Sequence, residues 1–119
     1  MDAAVVPQPV FEELVLDALD TLPPWLDPVI EEIAVLVQEE PAPEDAAPGG
    51  ELLLGQYRGR PGPRVPGSLP DVILLYRRPI LASCTRPEEV PDRVLRVLGH
   101  EVGHAMGLPE PRLRALGWH

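Results

Sequence analysis

Apolar residues recur along the first twenty positions with a helical period. In "QPVFEELVLDALDTLPPWL" they fall at Val10, Phe11, Leu14, Leu16, Ala18 and Leu19 with acids between them, and Pro23–Pro24 should end the helix. The next segment, "VIEEIAVLVQEEP", has a β-branched centre from Ile33 to Val37, which favours a strand stopped by Pro41. Residues 41–51 lose all periodicity in a mixture of Pro, Gly, Ala and acids, and are expected to form a surface loop. "LLLGQY" (52–57) reads as a short strand. Residues 58–70 are too rich in Pro and Gly for regular structure, and "DVILLYRRP" (71–79) is the clearest strand of the chain.

The last third is helical. Thr85 and Glu88 have the spacing of a capping box, but the helix they would start meets Pro91. A start near Pro91 removes that conflict and carries the helix to about Met106, where Gly107 can turn left-handed. Pro109 then opens a short terminal helix, "PEPRLRALG". The order helix, strand, strand, strand, helix, helix predicts one α+β domain over residues 1–119.

Composition narrows the class. The chain is 45% hydrophobic but only 4% aromatic, so its core must be aliphatic. All ten basic residues are Arg. Residues 1–57 carry 13 acids and no Lys or Arg, whereas 58–119 carry 10 Arg and 6 acids; −13 and +4 recover the net charge of −9. Opposed halves of this kind are expected to face each other across the fold. An acidic domain with no basic run longer than two residues is not a nucleic-acid binder. The N-terminus "MDAAVVPQPV" shows no signal peptide, no stretch has the roughly 18 apolar residues of a membrane span, and the single Cys84 cannot form an internal disulfide. A soluble, cytoplasmic protein is the expectation.

The chemistry sits at residues 98–110, "LGHEVGHAMGLPE". His100 and His104 lie one helical turn apart with Glu101 between them, the HExxH pattern. Two imidazoles four apart can reach one zinc ion, which acidifies a bound water, and the adjacent carboxylate can take the proton as general base. With 3 His and 12 Glu in 119 residues the pattern arises by chance in roughly 0.7% of such chains, and extending it through Gly107 to Glu110 lowers that about a hundredfold. Coincidence is therefore a weak explanation.

Helical geometry also argues against core histidines. At about 100° per residue, Val94, Leu95, Leu98, Val102, Ala105 and Met106 form one apolar stripe, and His100 and His104 project almost opposite to it. Gly99 and Gly103 occupy a third side, where each costs about 1 kcal/mol relative to Ala. Close approach of another backbone, the N-terminal helix or a strand, is the expected reason. A third ligand is usual for zinc. After His104 the candidates are Glu110, which Gly107 can turn back toward the metal, and the fraying His119; an acid from an upstream loop is a further possibility. Tyr57 and Tyr76, near strand ends, are candidates for a hydrogen bond to a developing oxyanion, and packing is the alternative for both. Trp25 and Trp118 are expected only to pack, and Cys84 to be inert.

HExxHxxGxxE near the C-terminus, preceded by "LPDVILLYRRPI" and "LLLGQYRG", resembles the minigluzincins, a family of small zinc metallopeptidases. Across most of the chain the "LP" ending the first helix, the "EEP" after the first strand and the closing "LRALG" are similar too. The resemblance implies a minimal zincin-like fold, a three-stranded sheet packed on an N-terminal helix and the HExxH helix. It implies His100, His104 and an acid as ligands of one zinc ion (other divalent ions also suit imidazole), and a catalytic Glu101. The related pattern HExxHxxGxxD has aspartate where this chain has the longer Glu110. The implied partner is a peptide or protein substrate, which in a zincin lies along an edge strand; "DVILLY" is expected to supply it. Two rivals remain: a zincin-fold domain that binds metal or a protein without catalysis, and a metal-free interaction module using the acidic residues 12–45.

Overall fold

The computed structural model describes residues 6–46, 48–50, 52–59, 67 and 70–119. Most of the loop expected at 58–70 lies outside the described residues, as do Met1–Val5 and two positions of the 41–51 loop.

Helix α1 (Gln8–Thr21) buries Phe11, Val15 and Ala18, spaced one turn apart along one face. Val10 and Leu16, counted by sequence toward that face, point into solvent instead. Leu22 is already extended at φ −61°, ψ 149°, the conformation demanded of a residue before proline. A 3-10 turn (Pro24–Leu26) and the single-turn α2 (Asp27–Ile30) lead into strand β1 (Ile33–Gln38). Along β1 burial alternates, so Ile33, Val35 and Val37 pack against the core while Leu36 is exposed. Pro43–Asp45 and Pro48–Gly50 form short 3-10 turns, in keeping with the loop composition.

Strand β2 is shorter and later than expected, Gly55–Arg58. Pairing with the third strand begins at Leu54, whose carbonyl accepts from the Tyr76 amide at 3.0 Å. Strand β3 (Asp71–Tyr76) is the centre of the sheet, in the order β1-β3-β2. It runs parallel to β1, with Val35 opposite Ile73, and antiparallel to β2, with Gly55 opposite Leu75. "DVILLY" is therefore not the edge strand expected from the sequence; the edges are β1 and β2, and β2 is the one that packs on α4.

The strand also stops short of its expected end at Pro79. Tyr76 caps a helix that the sequence did not reveal, α3 (Arg77–Ala82). Pro79 falls in its first turn, where the missing N–H has no helical partner to lose, so the proline read as a strand terminator is compatible with a helix.

Helix α4 (Val90–Ala105) begins beside Pro91 after a 3-10 turn at Pro87–Glu89. That turn moves Thr85's partner from Glu88 to Glu89, whose carboxylate accepts from the Thr85 amide at 3.0 Å and hydroxyl at 2.8 Å. These hydrogen bonds hold the Glu89 carboxyl below its ordinary pKa. α4 buries Val94, Leu98, Val102 and Ala105, much of the stripe read from the sequence. It packs on β2 and β3, and α1 packs on α4. The α+β, minimal zincin-like architecture expected from the sequence is the one observed.

The charge asymmetry resolves into ion pairs between the halves. Arg58 pairs with Asp45, and Arg77 and Arg78 both reach Glu39, at 2.7 and 3.1 Å. Arg77 is buried and also donates twice to the Val6 carbonyl, at 2.8 and 3.0 Å, fastening the entry to α1 onto α3. No helix among the described residues is long and apolar enough to cross a membrane.

Candidate metal centre

The site is assembled by two successive helix ends. At the end of α4, Gly107 adopts φ 73°, its amide bonds the His104 carbonyl at 2.9 Å, and the Leu108 amide bonds the Gly103 carbonyl at 2.9 Å. This paired closure is a Schellman motif, and it reverses the chain immediately after His104. Helix α5 (Glu110–Leu116) follows, with Glu110 in its first turn, where a carboxylate suits the positive end of the helix. α5 ends in the same way. Gly117 at φ 80° lets the Trp118 amide bond the Leu113 carbonyl at 2.8 Å, and the tail folds back on α4.

The two helix glycines receive this tail. A Cβ on Gly99 would sit 2.6–2.7 Å from three ring atoms of Trp118, and one on Gly103 would collide with a Leu113 methyl. The close approach expected at both positions exists. However, it is made by side chains of the C-terminal segment rather than by the backbone of the N-terminal helix or a strand. Seating Trp118 in the Gly99 notch puts its carbonyl oxygen 2.7 Å from His100 Nδ1. A carbonyl only accepts, so Nδ1 carries the hydrogen and His100 Nε2 keeps its lone pair.

His104 is set similarly. Its Nδ1 lies 3.2 Å from Glu101 Oε1, leaving Nε2 toward Glu110, whose Oε1 is 4.0 Å away. Ligand atoms of His100, Glu101 and His104 all lie within 4.8 Å of one another. The imidazole rings meet edge to face with centroids 4.3 Å apart. Glu101 is 7% exposed, whereas the Glu110 side chain is 61% exposed.

A divalent ion suits this donor set. Each imidazole has a partner on Nδ1, the usual support of metal-binding histidines, which leaves Nε2 as the atom that would bind the ion. Ligands about 2.0–2.1 Å from a tetrahedral zinc are about 3.4 Å apart. Glu110 would need to close on His104 Nε2 by roughly half an ångström, a small adjustment for an exposed side chain.

Beside His100 and Glu101 the described residues enclose a cavity of about 280 Å³, walled opposite by Leu53, Leu54 and Gly55. A Cβ on Gly55 would lie 2.9 Å from a Val97 methyl and 3.0 Å from the Leu74 carbonyl, so only glycine lets the edge strand approach α4 this closely. Arg93, Arg96, Val97 and His119 complete the lining. Neither tyrosine is among these residues. The Tyr57 hydroxyl donates to Asp71 Oδ2 at 2.6 Å. Tyr76 is fully buried, shares the sheet face of Leu74 and Gln56, and donates to Gln56 Oε1 at 3.0 Å. Burial, then Asp45, raises its pKa. The sequence reading did not single out Trp118's carbonyl or Arg96 for the site. The glycine pair at 99 and 103 was the signal for the first, and helical spacing ahead of His100 the signal for the second.

The model of the zincin-like metallopeptidase family matches residues 30–118. The chain belongs to that family. A solved structure of a conserved hypothetical protein from Thermus thermophilus has the same fold, with a TM-score of 0.58 at 23% identity over 93% of this chain and 97% of that one. No functionally curated protein matches this chain.

Proposed function

We propose that this chain is a zinc-dependent metallopeptidase in which His100, His104 and Glu110 hold one zinc ion and Glu101 is the general base. The observation that carries the reading is Glu101. Its carboxylate is almost fully buried yet reaches the point where the two imidazoles converge. Zinc at this position would supply an acidified water and polarise the scissile carbonyl. Glu101 takes a proton from the attacking water and passes it to the leaving amine. The Trp118 carbonyl holds His100 in its binding tautomer throughout. The edge of β2 that pairs with no other strand among the described residues lies beside the cavity, and it is where an extended peptide would add main-chain hydrogen bonds. These features agree with a minigluzincin-like enzyme.

The second reading is a zincin-fold domain that binds metal or a protein without hydrolysis. The contact between Glu101 and His104 favours it, since it engages the proposed base. Elemental analysis of chelator-stripped, zinc-reconstituted protein, with peptide hydrolysis measured in parallel, separates the two. The proposal expects one zinc per chain in wild type and Glu101→Gln, weakened binding in Glu110→Ala, and loss in His104→Ala. It also expects hydrolysis by wild type and none by Glu101→Gln. Zinc binding without hydrolysis of any library peptide supports the second reading; absence of zinc binding overturns both metal-based readings.

A further inference from the structure

We infer that Arg93 and Arg96 form a subsite for a substrate carboxylate next to the scissile bond, so that the preferred peptides carry an acidic group there. The inference rests on the peptidase reading and adds a substrate class to it. Arg93, Arg96 and His100 sit at i, i+3 and i+7 on α4, one face of the helix, and all three line the cavity. Arg93 is held in place: its guanidinium donates to the Ser83 carbonyl at 3.0 Å and hydroxyl at 2.6 Å, two neutral acceptors, and it interacts with the Glu89 carboxylate one turn earlier only at longer range, without an ion pair among the described residues. Arg96 makes no hydrogen bond or ion pair among the described residues. This distinguishes it from Arg58, Arg77 and Arg78, each of which faces an acid of the first half. Glu101 is the one acidic side chain among the described residues of the lining, and the proposed mechanism already uses it.

The remaining wall is apolar, Leu53, Leu54 and Val97, which lowers the local dielectric and strengthens attraction for an anion. At about 1.5 Å per helical residue, Arg96 and Arg93 lie roughly 6 and 10 Å along α4 from His100. An extended peptide advances about 3.3 Å per residue, so a carboxylate two or three residues from the scissile bond reaches them. That carboxylate can be an Asp or Glu side chain or the peptide's own C-terminus.

The test uses zinc-loaded Glu101→Gln protein, which binds without turnover, and isothermal titration with acetylated, amidated alanine hexapeptides. Each carries one Glu, or its Gln isostere, at a varied position; one further hexapeptide has a free C-terminus. At least one Glu peptide should bind about three- to tenfold more tightly than its Gln partner. Arg96→Gln should remove that preference with zinc content unchanged. A gain confined to the free-terminus peptide, lost in Arg96→Gln, assigns the subsite to a substrate C-terminus. Equal binding of all peptides, no binding of any, or a preference that survives both Arg96→Gln and Arg93→Gln overturns the subsite. Wild-type zinc protein assayed on the same peptides reports on the peptidase reading separately: an Arg96-dependent preference without hydrolysis sinks the peptidase and leaves the carboxylate site standing.

Discussion

Replacing Gly99 by alanine should weaken zinc binding although residue 99 touches no metal ligand. The added methyl would lie 2.6–2.7 Å from the Trp118 ring, where carbon atoms prefer about 3.5–4.0 Å, so the indole must retreat by about 1 Å. Overpacking of this kind costs about 1–3 kcal/mol, and alanine returns about 1 kcal/mol of helix propensity. The net loss of stability is therefore only about 0–2 kcal/mol. The effect on the site is larger. A retreat of about 1 Å by Trp118 stretches its carbonyl from the present 2.7 Å to beyond hydrogen-bonding distance of His100 Nδ1. Losing such a support typically costs 10- to 100-fold in metal affinity. Competition with a chromophoric chelator measures the zinc Kd, and circular dichroism of the metal-free form checks folding. A folded Gly99→Ala protein whose zinc Kd stays within about threefold of wild type would refute the coupling.

Two stability predictions are independent of metal. Arg77→Met leaves the Val6 carbonyl without its donors and Glu39 without its closest partner, and should cost about 2–3 kcal/mol, the lower end for a half-exposed acid; Tm should fall by roughly 8 °C or more, and a fall under about 2 °C contradicts the role given to Arg77. Tyr76 has a folded-state pKa raised above 10.0, chiefly by burial, so the folded chain holds its phenolic proton more tightly than the unfolded chain. Its contribution is complete below about pH 10 and lost as pH rises through the higher folded value, so urea midpoints should fall at high pH and Tyr76→Phe should flatten that limb.

The parts legible in the sequence are those governed by local pattern. The α4 stripe, the strand over Ile33–Val37 and the stop at Gly107 follow from period, β-branching and the left-handed freedom of glycine. Elements governed by tertiary partners were less legible. Which strand is central depends on the pairing of β1 with β3 across the intervening β2, and apolar content does not encode it. Helix α3 was hidden because "RRPILA" has the apolar content of a strand end, and only the Arg77 anchorage at Val6 and Glu39 turns the chain there. At the site, HExxH named the residues that converge, His100, Glu101 and His104. It could not show that a backbone carbonyl orients His100, since a carbonyl leaves no mark in residue identity.

The location of Glu101 bears on which reading of the site is physically economical. A carboxylate at 7% exposure is costly to keep unless something compensates it, and among the described residues its hydrogen-bond partner is one imidazole at 3.2 Å. Neighbours at similar depth on α4 are apolar: Val97, Leu98 and Val102 fill the same layer. A domain that merely docked a protein would be served as well or better by an apolar residue at 101, whereas one that merely held a metal would use Glu101 only to orient His104. Its contact with His104 Nδ1 gives Glu101 one use in any metal site, and taking a proton from water inside the cleft is the further use that only hydrolysis requires. That is the physical argument for hydrolysis over passive metal binding.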